Sequence, residues 1–368
     1  MTLDRAVVPD VALEWLTDGR RLAVATLVEV EGSAPFQPGA SMLIGADGRI
    51  EGSVTGGCVE AALAAEAEDL LAGGGARVLT YGISDDLAGT VGLMCGGTVH
   101  VFLSELPRAS RPALEAVRAA VADDRPAGLV TLVDGPSAGA TLAVTANGPV
   151  GGLGVGAQVD RSAAGDAAAL IEQGISMMRR YGLDGSRMAD DLRVFIRSFA
   201  QRPRMVIFGA VDFSIALARL AREVGYRVTV CDPREAFSSG SRFAVAAEVE
   251  TQWPDRYLDG QALTARDAVL IFTHDRKLDE PAAISALRSG AGYIGALGSR
   301  KTHADRSDRL RALGVSDEEL ARIACPCGLD IGSATPTQTA VAILAEIMAL
   351  RSGRSGGRLT DAAGPIRA

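Results

Sequence analysis

Two cysteines stand in glycine-flanked settings that suit binding chemistry. Cys58 closes the run Gly52-Ser53-Val54-Thr55-Gly56-Gly57-Cys58-Val59-Glu60, and Cys95 sits in Val91-Gly92-Leu93-Met94-Cys95-Gly96-Gly97. Residues 59–71 carry strong helix formers without a breaker, which places Cys58 at or just inside a helix N-terminus. Unpaired amides and the positive dipole end there favour an anion, and would equally favour a thiolate sulfur. Gly56 and Gly57 let a ligand approach the backbone closely. The plainer reading of the same residues is a structural helix start with a half-buried cysteine. A second such turn at Cys95, with Gly96 and Gly97, points to one site with two thiols and many exposed amides. Zinc would require four ligands, and His100 is the only histidine near either cysteine.

A second cluster of reactive types lies late in the chain. Arg204-Met205-Val206-Ile207-Phe208-Gly209 reads as a buried strand, 215–224 as a helix and 227–232 as a second strand, a βαβ unit. Asp232 follows the first glycine by about twenty residues, where an acidic side chain meets a ribose hydroxyl in dinucleotide folds. The turn itself, Gly209-Ala210-Val211-Asp212-Phe213-Ser214, keeps only the first glycine of that fingerprint. Val211 puts a branched side chain where a pyrophosphate would approach, and Asp212 adds a negative charge, so the turn argues against NAD(P). Strands expected at 268–272 and 292–296 end in Thr273-His274-Asp275 and Gly298-Ser299-Arg300-Lys301. In a doubly wound sheet both clusters line the ligand crevice, and Ser299 as N-cap with Arg300 makes a phosphate seat.

The elements that must position these residues follow in order. A helix is expected at 11–20, a strand at 21–30, two short strands around Asp47-Gly48, a strand at 76–81, and another from Thr98. After a helix at 111–122 the pattern begins again: residues 125–133 echo 21–28 and residues 145–152 echo 45–52. A repeat would place Gln158 where the first copy has Cys58. A helix over 163–181 and a strand over 192–199 complete this half, and Gln201-Arg202-Pro203 marks a boundary. Ser316 with Glu319 forms a capping box, and Thr335-Pro336 starts a last helix whose stripe Ile343, Leu344, Ile347 and Met348 faces the core. Cys325 and Cys327, two apart, read as packing or accessory thiols. The expected architecture is therefore α/β: an N-terminal domain over 1–200, divisible into repeats 1–108 and 109–200, a Rossmann-like doubly wound parallel sheet over 203–351, and a disordered tail over 352–368.

Composition narrows the partners. The 368 residues are 48% hydrophobic and 22% charged, with 4% aromatic and a net charge of −8. The scarcity of aromatics and the acidic balance argue against nucleic acid as partner. No run of eighteen apolar residues suggests a membrane span, and the acidic N-terminus is unlike a secretory signal, so a cytoplasmic protein with reduced thiols is expected.

The ordered set Gly32-Ser33-Ala34-Pro35, Pro38-Gly39-Ala40, Gly52 to Glu60, Met94-Cys95-Gly96-Gly97, Thr273-His274-Asp275, Gly295 to Arg300 and Gly328-Leu329-Asp330-Ile331-Gly332 resembles the XdhC/CoxI family over nearly the whole chain. The resemblance implies a chaperone that binds molybdenum cofactor (molybdopterin), supports its sulfuration and passes it to an apo molybdenum hydroxylase, such as xanthine dehydrogenase or carbon monoxide dehydrogenase. A cysteine desulfurase as sulfur donor belongs to the same implication. Cys58 and Cys95 match the family's cysteines and are the candidate molybdenum ligands. Asp232, His274, Ser299 and Arg300 are candidates for a second pocket, for a nucleotide or the pterin. Two other readings remain open at this point: a nicotinamide-dependent oxidoreductase, and a redox sensor pairing Cys58 with Cys95. A homodimer is expected from the commonness of two-fold assemblies.

Overall fold

The computed structural model describes residues 7–82, 97–187, 189–235, 241–244, 246 and 248–363. They form two compact units, one running to Gln201 and one from Arg202 to Ala362. Among the described residues no helix is long and apolar enough to cross a membrane.

The first unit contains two antiparallel sheets. After α1 (Val7–Thr17), strands β1 (Leu22–Glu31), β2 (Ser41–Gly45), β3 (Ile50–Gly52), β4 (Arg77–Tyr81) and β5 (Thr98–Glu105) pair in the order β3-β2-β1-β5-β4, with α2 (Glu60–Leu71) between β3 and β4. After α3 (Arg111–Ala122), strands β6 (Ala127–Leu132), β7 (Thr141–Thr145), β8 (Gly148–Gly151), β9 (Met177–Tyr181) and β10 (Leu192–Phe199) pair as β8-β7-β6-β10-β9, with α4 (Ala157–Gln173) in the corresponding place. The two sheets thus share one topology. Strand alternation assigns their faces. Ala23, Ala25 and Leu27 of β1 are buried against Leu63, Ala67 and Leu70 of α2, while Val28 and Phe102 pack with Val133 and Phe195 of the second sheet.

The helix expected over 163–181 is corrected here. Gly174 adopts φ +70 at the C-cap of α4 and ends it, after which 177–181 pairs with β10 as a strand. A left-handed glycine is a common way to stop a helix, and the sheet beyond it has an open edge to fill.

The second unit is an all-parallel sheet. Strands β11 (Arg204–Phe208), β12 (Arg227–Cys231), β13 (Glu248–Glu250), β14 (Ala268–Ile271), β15 (Tyr293–Ala296) and β16 (Ile323–Ala324) lie in the order β13-β12-β11-β14-β15-β16. The helices of the described residues include α5 (Asp212–Glu223), α6 (Pro254–Asp259), α7 (Arg276–Arg288), α8 (Arg300–Ala312), α9 (Asp317–Leu320) and α10 (Pro336–Arg351). This is the doubly wound Rossmann order, which reverses between β11 and β14 and opens a crevice beyond their carboxyl ends. Separate buried clusters cover the two faces of the sheet. On α10 the residues Ile343, Leu344 and Ile347 are buried as expected, but Met348 is 56% exposed. It falls at the rim of the stripe, since five residues from Ile343 turn the helix well past the core-facing side. Residues 352–363, expected as a disordered tail, carry a short turn at Leu359–Asp361 and are exposed.

Candidate functional site

The turn that carries Cys58 is shaped by glycines and held by one carboxylate. Gly52 has φ +82, and a Cβ there would lie 2.4 Å from the Ser41 carbonyl oxygen, so the close approach of β3 to β2 requires glycine. Gly56 and Gly57 follow at φ +83 and +122. The Glu60 side chain then folds back over the turn. Its carboxylate accepts from the Ser53 hydroxyl at 2.5 Å, from the Thr55 hydroxyl at 2.9 Å, and from the N–H groups of Val54, Thr55, Gly56, Gly57 and Val59 at 2.8–3.1 Å. Burial alone would raise the Glu60 pKa, but the Ser53 and Thr55 donors outweigh it and hold the group down to about 2.

This arrangement bears on the exposed amides expected in the turn of Gly56 and Gly57. Their N–H groups already hold an anion, and that anion belongs to the chain. Cys58 also lies outside the helix, one residue before the N-cap Val59. It is a free, half-buried thiol beside the apolar cluster of the first sheet. Among the described residues nothing lies within 4 Å of where a Cβ on Gly57 would be. The turn therefore presents a half-buried thiol on a backbone fixed by the Glu60 carboxylate. Cys95 and Gly96 lie outside the described residues. Gly97 is buried, and a Cβ on it would meet the Ser33 carbonyl oxygen at 2.3 Å, so it serves close packing rather than offering an exposed amide. His100 is held by the Thr80 hydroxyl at 3.0 Å and Glu31 at 3.2 Å. Among the described residues no group of three or more His, Cys, Asp or Glu is placed to hold a metal.

In the second unit the turn after β11 lies close against the end of β14. Gly209 has φ +108, and a Cβ on it would lie 2.9 Å from the Thr273 N atom. Asp232 has no exposed surface. One of its oxygens accepts the Ala210 N–H at 2.8 Å and Arg234 Nη2 at 2.7 Å, and the other accepts Arg234 N–H at 3.0 Å and Nε at 2.9 Å. Burial works against its charge, yet these donors keep its pKa below the usual range. Asp232 is thus a clamp between the β11 and β12 ends rather than an open ribose acceptor, which corrects its place in a second pocket. His274, Ser299 and Arg300 are exposed at the ends of the adjacent strands β14 and β15. Ser299 caps α8 by accepting the Thr302 N–H at 3.1 Å.

Three features escaped the sequence. The Glu60 clamp is one, although its Ser53-to-Glu60 spacing around glycines was visible. Arg234 is the second. The third is the buried pair of Arg306 with Asp279, joined by two bonds of 2.8 Å, in which Arg306 also donates to Cys325 Sγ at 3.2 Å and to the Leu297 carbonyl at 3.2 Å. Burial pushes the Cys325 thiol up, with Arg306 opposing, and pushes Cys327 up to about 12.

The family models match both units. Residues 15–82 match the XdhC and CoxI family, and residues 205–347 match the XdhC Rossmann domain. The chain belongs to the XdhC/CoxI family. A relative in Bacillus subtilis, named as a probable xanthine dehydrogenase subunit, is 29% identical over 91% of this chain and 95% of its own length. The molybdenum cofactor insertion chaperone PaoD of Escherichia coli is 28% identical over 95% of this chain and 90% of its own. A crystal structure described as a xanthine dehydrogenase from Bacillus halodurans superposes with a TM-score of 0.71, covering 96% of this chain and 98% of that one at 24% identity, a likeness of fold. The XdhC/CoxI match in the first unit includes Cys58 and Glu60 and ends before Cys95; the match in the second includes Asp232, His274, Ser299, Arg300 and Arg306.

Proposed function

We propose that this chain is an accessory chaperone that takes up molybdenum cofactor and delivers it to an apo molybdenum hydroxylase of the xanthine dehydrogenase or carbon monoxide dehydrogenase type. The Bacillus subtilis and Escherichia coli relatives, one named for xanthine dehydrogenase and one for cofactor insertion, support this reading. The observation that carries it is Cys58 itself: a half-buried free thiol next to Gly57 on a turn fixed by Glu60. A soft sulfur ligand suits molybdenum, and the rigid turn suits reversible holding, since a carrier gains nothing from a base or an activated hydroxyl. Cys95 and Gly96 are proposed to complete this site. His274, Ser299 and Arg300 form the proposed seat for the phosphate end of a pterin or nucleotide, where an arginine and a helix start favour an oxyanion. Sulfuration of the cargo by a cysteine desulfurase, action in the cytoplasm and assembly as a homodimer belong to the same proposal.

The test is an anaerobic titration of the purified full chain with molybdopterin cofactor, followed by gel filtration. Wild type is expected to retain cofactor, and Cys58→Ala and Cys95→Ala to retain markedly less while folding normally. A well-folded wild type that retains none would end the proposal.

A further inference from the structure

Three loops meet at the carboxyl end of the second sheet, and one buried arginine is bonded across all of them. The first follows β14 and carries Thr273-His274-Asp275 into α7. The second follows β15 and carries Gly298-Ser299-Arg300 into α8. The third, 325–335, runs from β16 to α10. Arg306, in the second turn of α8, is 1% exposed. Its Nε and Nη2 each donate at 2.8 Å to the carboxylate of Asp279, in the first turn of α7. Nη2 also donates to the Leu297 carbonyl at 3.2 Å, just before the Ser299 cap, and Nη1 to Cys325 Sγ at 3.2 Å. Asp279 is 3% exposed and lies 3.6 Å from a second arginine, Arg309. A Cβ on Gly298 would lie 3.8 Å from Cys325 Sγ, so the second loop packs on the third at that sulfur.

A buried ion pair is a poor source of stability, since apolar residues of the same size can serve a core as well. What it adds is geometry: a planar guanidinium holds its acceptors at set distances and directions. Here the acceptors are the start of α7, the chain entering α8 and the chain leaving β16. The same three segments lie at the edge of the sheet where a doubly wound fold receives its ligand. The two helix starts also need holding. Arg276 and Lys277 open α7, Arg300 and Lys301 open α8, and all four are exposed. Positive charge at a helix N-terminus opposes the dipole, and two such ends on adjacent strands repel each other. The bridge from Arg306 to Asp279 runs between these two helices and works against that repulsion; an anion seated between the helix starts would relieve the same repulsion.

We propose that Arg306 and Asp279 are positioning residues for the oxyanion seat of His274, Ser299 and Arg300: their bond sets the spacing of the starts of α7 and α8 at which both can hold one phosphate-bearing ligand. This inference rests on the phosphate seat proposed above. Linkage makes the effect reciprocal, so whatever the pair does for the bound anion, the anion does for the pair. An occupied seat should tighten the three loops around Arg306 and with them the surroundings of Cys325.

The probe is inorganic pyrophosphate, titrated calorimetrically into the full chain at a temperature where every variant is folded. Wild type should bind saturably, and Arg300→Ala should weaken binding, which tests the seat independently of Arg306. Asp279→Leu with Arg306→Met strands no charge and should stay folded, yet bind about tenfold more weakly, the scale of losing a group that orients a ligand's partners. Arg306→Lys keeps the charge beside Asp279 but lacks the fork that also reaches Leu297 and Cys325, and should fall between the two. A double variant that binds like wild type while Arg300→Ala does not would overturn the positioning role and leave the seat standing. No binding by wild type would overturn the seat and this inference with it. If the Arg306 variants fail to fold, wild type alone decides: saturating pyrophosphate should slow alkylation of Cys325, read by peptide mass spectrometry, and leave that of Cys58 unchanged. An unchanged Cys325 rate would overturn the inference.

Discussion

The carboxylate of Glu60 accepts the N–H of Gly57 at 2.9 Å, so the amides beside Cys58 are neutralised from within the chain. Replacing Glu60 by Gln keeps the size but turns one acceptor into a donor facing other donors. The expected cost is about 1–3 kcal/mol, read from the urea midpoint. The same change should loosen the turn and speed alkylation of Cys58, followed by mass spectrometry of the modified peptide. An unchanged midpoint together with an unchanged rate would show that the clamp is decorative.

Acid stability should carry the signature of the same residue. The Glu60 carboxyl moves from an ordinary value of 4.5 down to about 2 in the folded chain. A lowered carboxylate adds stability that is complete above the unfolded value and disappears as pH falls through the folded one. Wild type should therefore lose stability more steeply than Glu60→Gln between pH 4.5 and 2. Parallel curves for the two proteins over that window, measured by chemical denaturation, would contradict the assignment.

Asp232 leads to a prediction about nucleotides. Both of its oxygens are engaged by Ala210 and Arg234, and a ribose would have to displace them. Isothermal titration with NAD or NADP should show no saturable binding to wild type. Asp232→Asn should lower stability by about 1–3 kcal/mol, because it removes the buried carboxylate that accepts from the Ala210 N–H and from Arg234. Tight NAD(P) binding that is abolished by Asp232→Asn would restore the dinucleotide reading.

How far the sequence could be read depends on the range of the forces involved. The βαβ unit from Arg204 to Cys231 is legible because a buried parallel strand is apolar along its whole length and an amphipathic helix repeats every three to four residues. The capping box at Ser316 and the N-cap at Thr335 are legible because they are local, while the closing of a second box by Gln338 is seen only in the structure. The strand Met177–Tyr181 is not, since nothing within its five residues distinguishes it from the end of a helix; only its pairing with Leu192–Ile196 does. Cys58 can be picked out by its glycines. That Glu60 would occupy their amides depends on a side-chain rotamer over a left-handed turn, which spacing alone does not specify. Asp232 is the sharpest case: its position along the chain suits a ribose, while its engagement is decided by Arg234 two residues later.

The pair Arg306 and Asp279 offers the largest expected effect. Both side chains are nearly inaccessible, at 2% and 4%, and meet through two bonds of 2.8 Å. Removing one member strands a buried charge, so Asp279→Asn should cost about 3–5 kcal/mol. Replacing both by apolar residues of similar size, as in Asp279→Leu with Arg306→Met, should cost much less than the sum of the single changes, because no charge is left behind. Arg306 also donates to Cys325, which links the pair to a measurable thiol. In Arg306→Met the Cys325 sulfur loses its cationic neighbour, and its pKa should rise further from a value that burial already elevates. Following the rate of Cys325 alkylation against pH reads this directly: the profile should shift to higher pH in Arg306→Met. A shift to lower pH, or a double variant as unstable as Asp279→Asn alone, would mean that the guanidinium is not what holds this corner of the sheet.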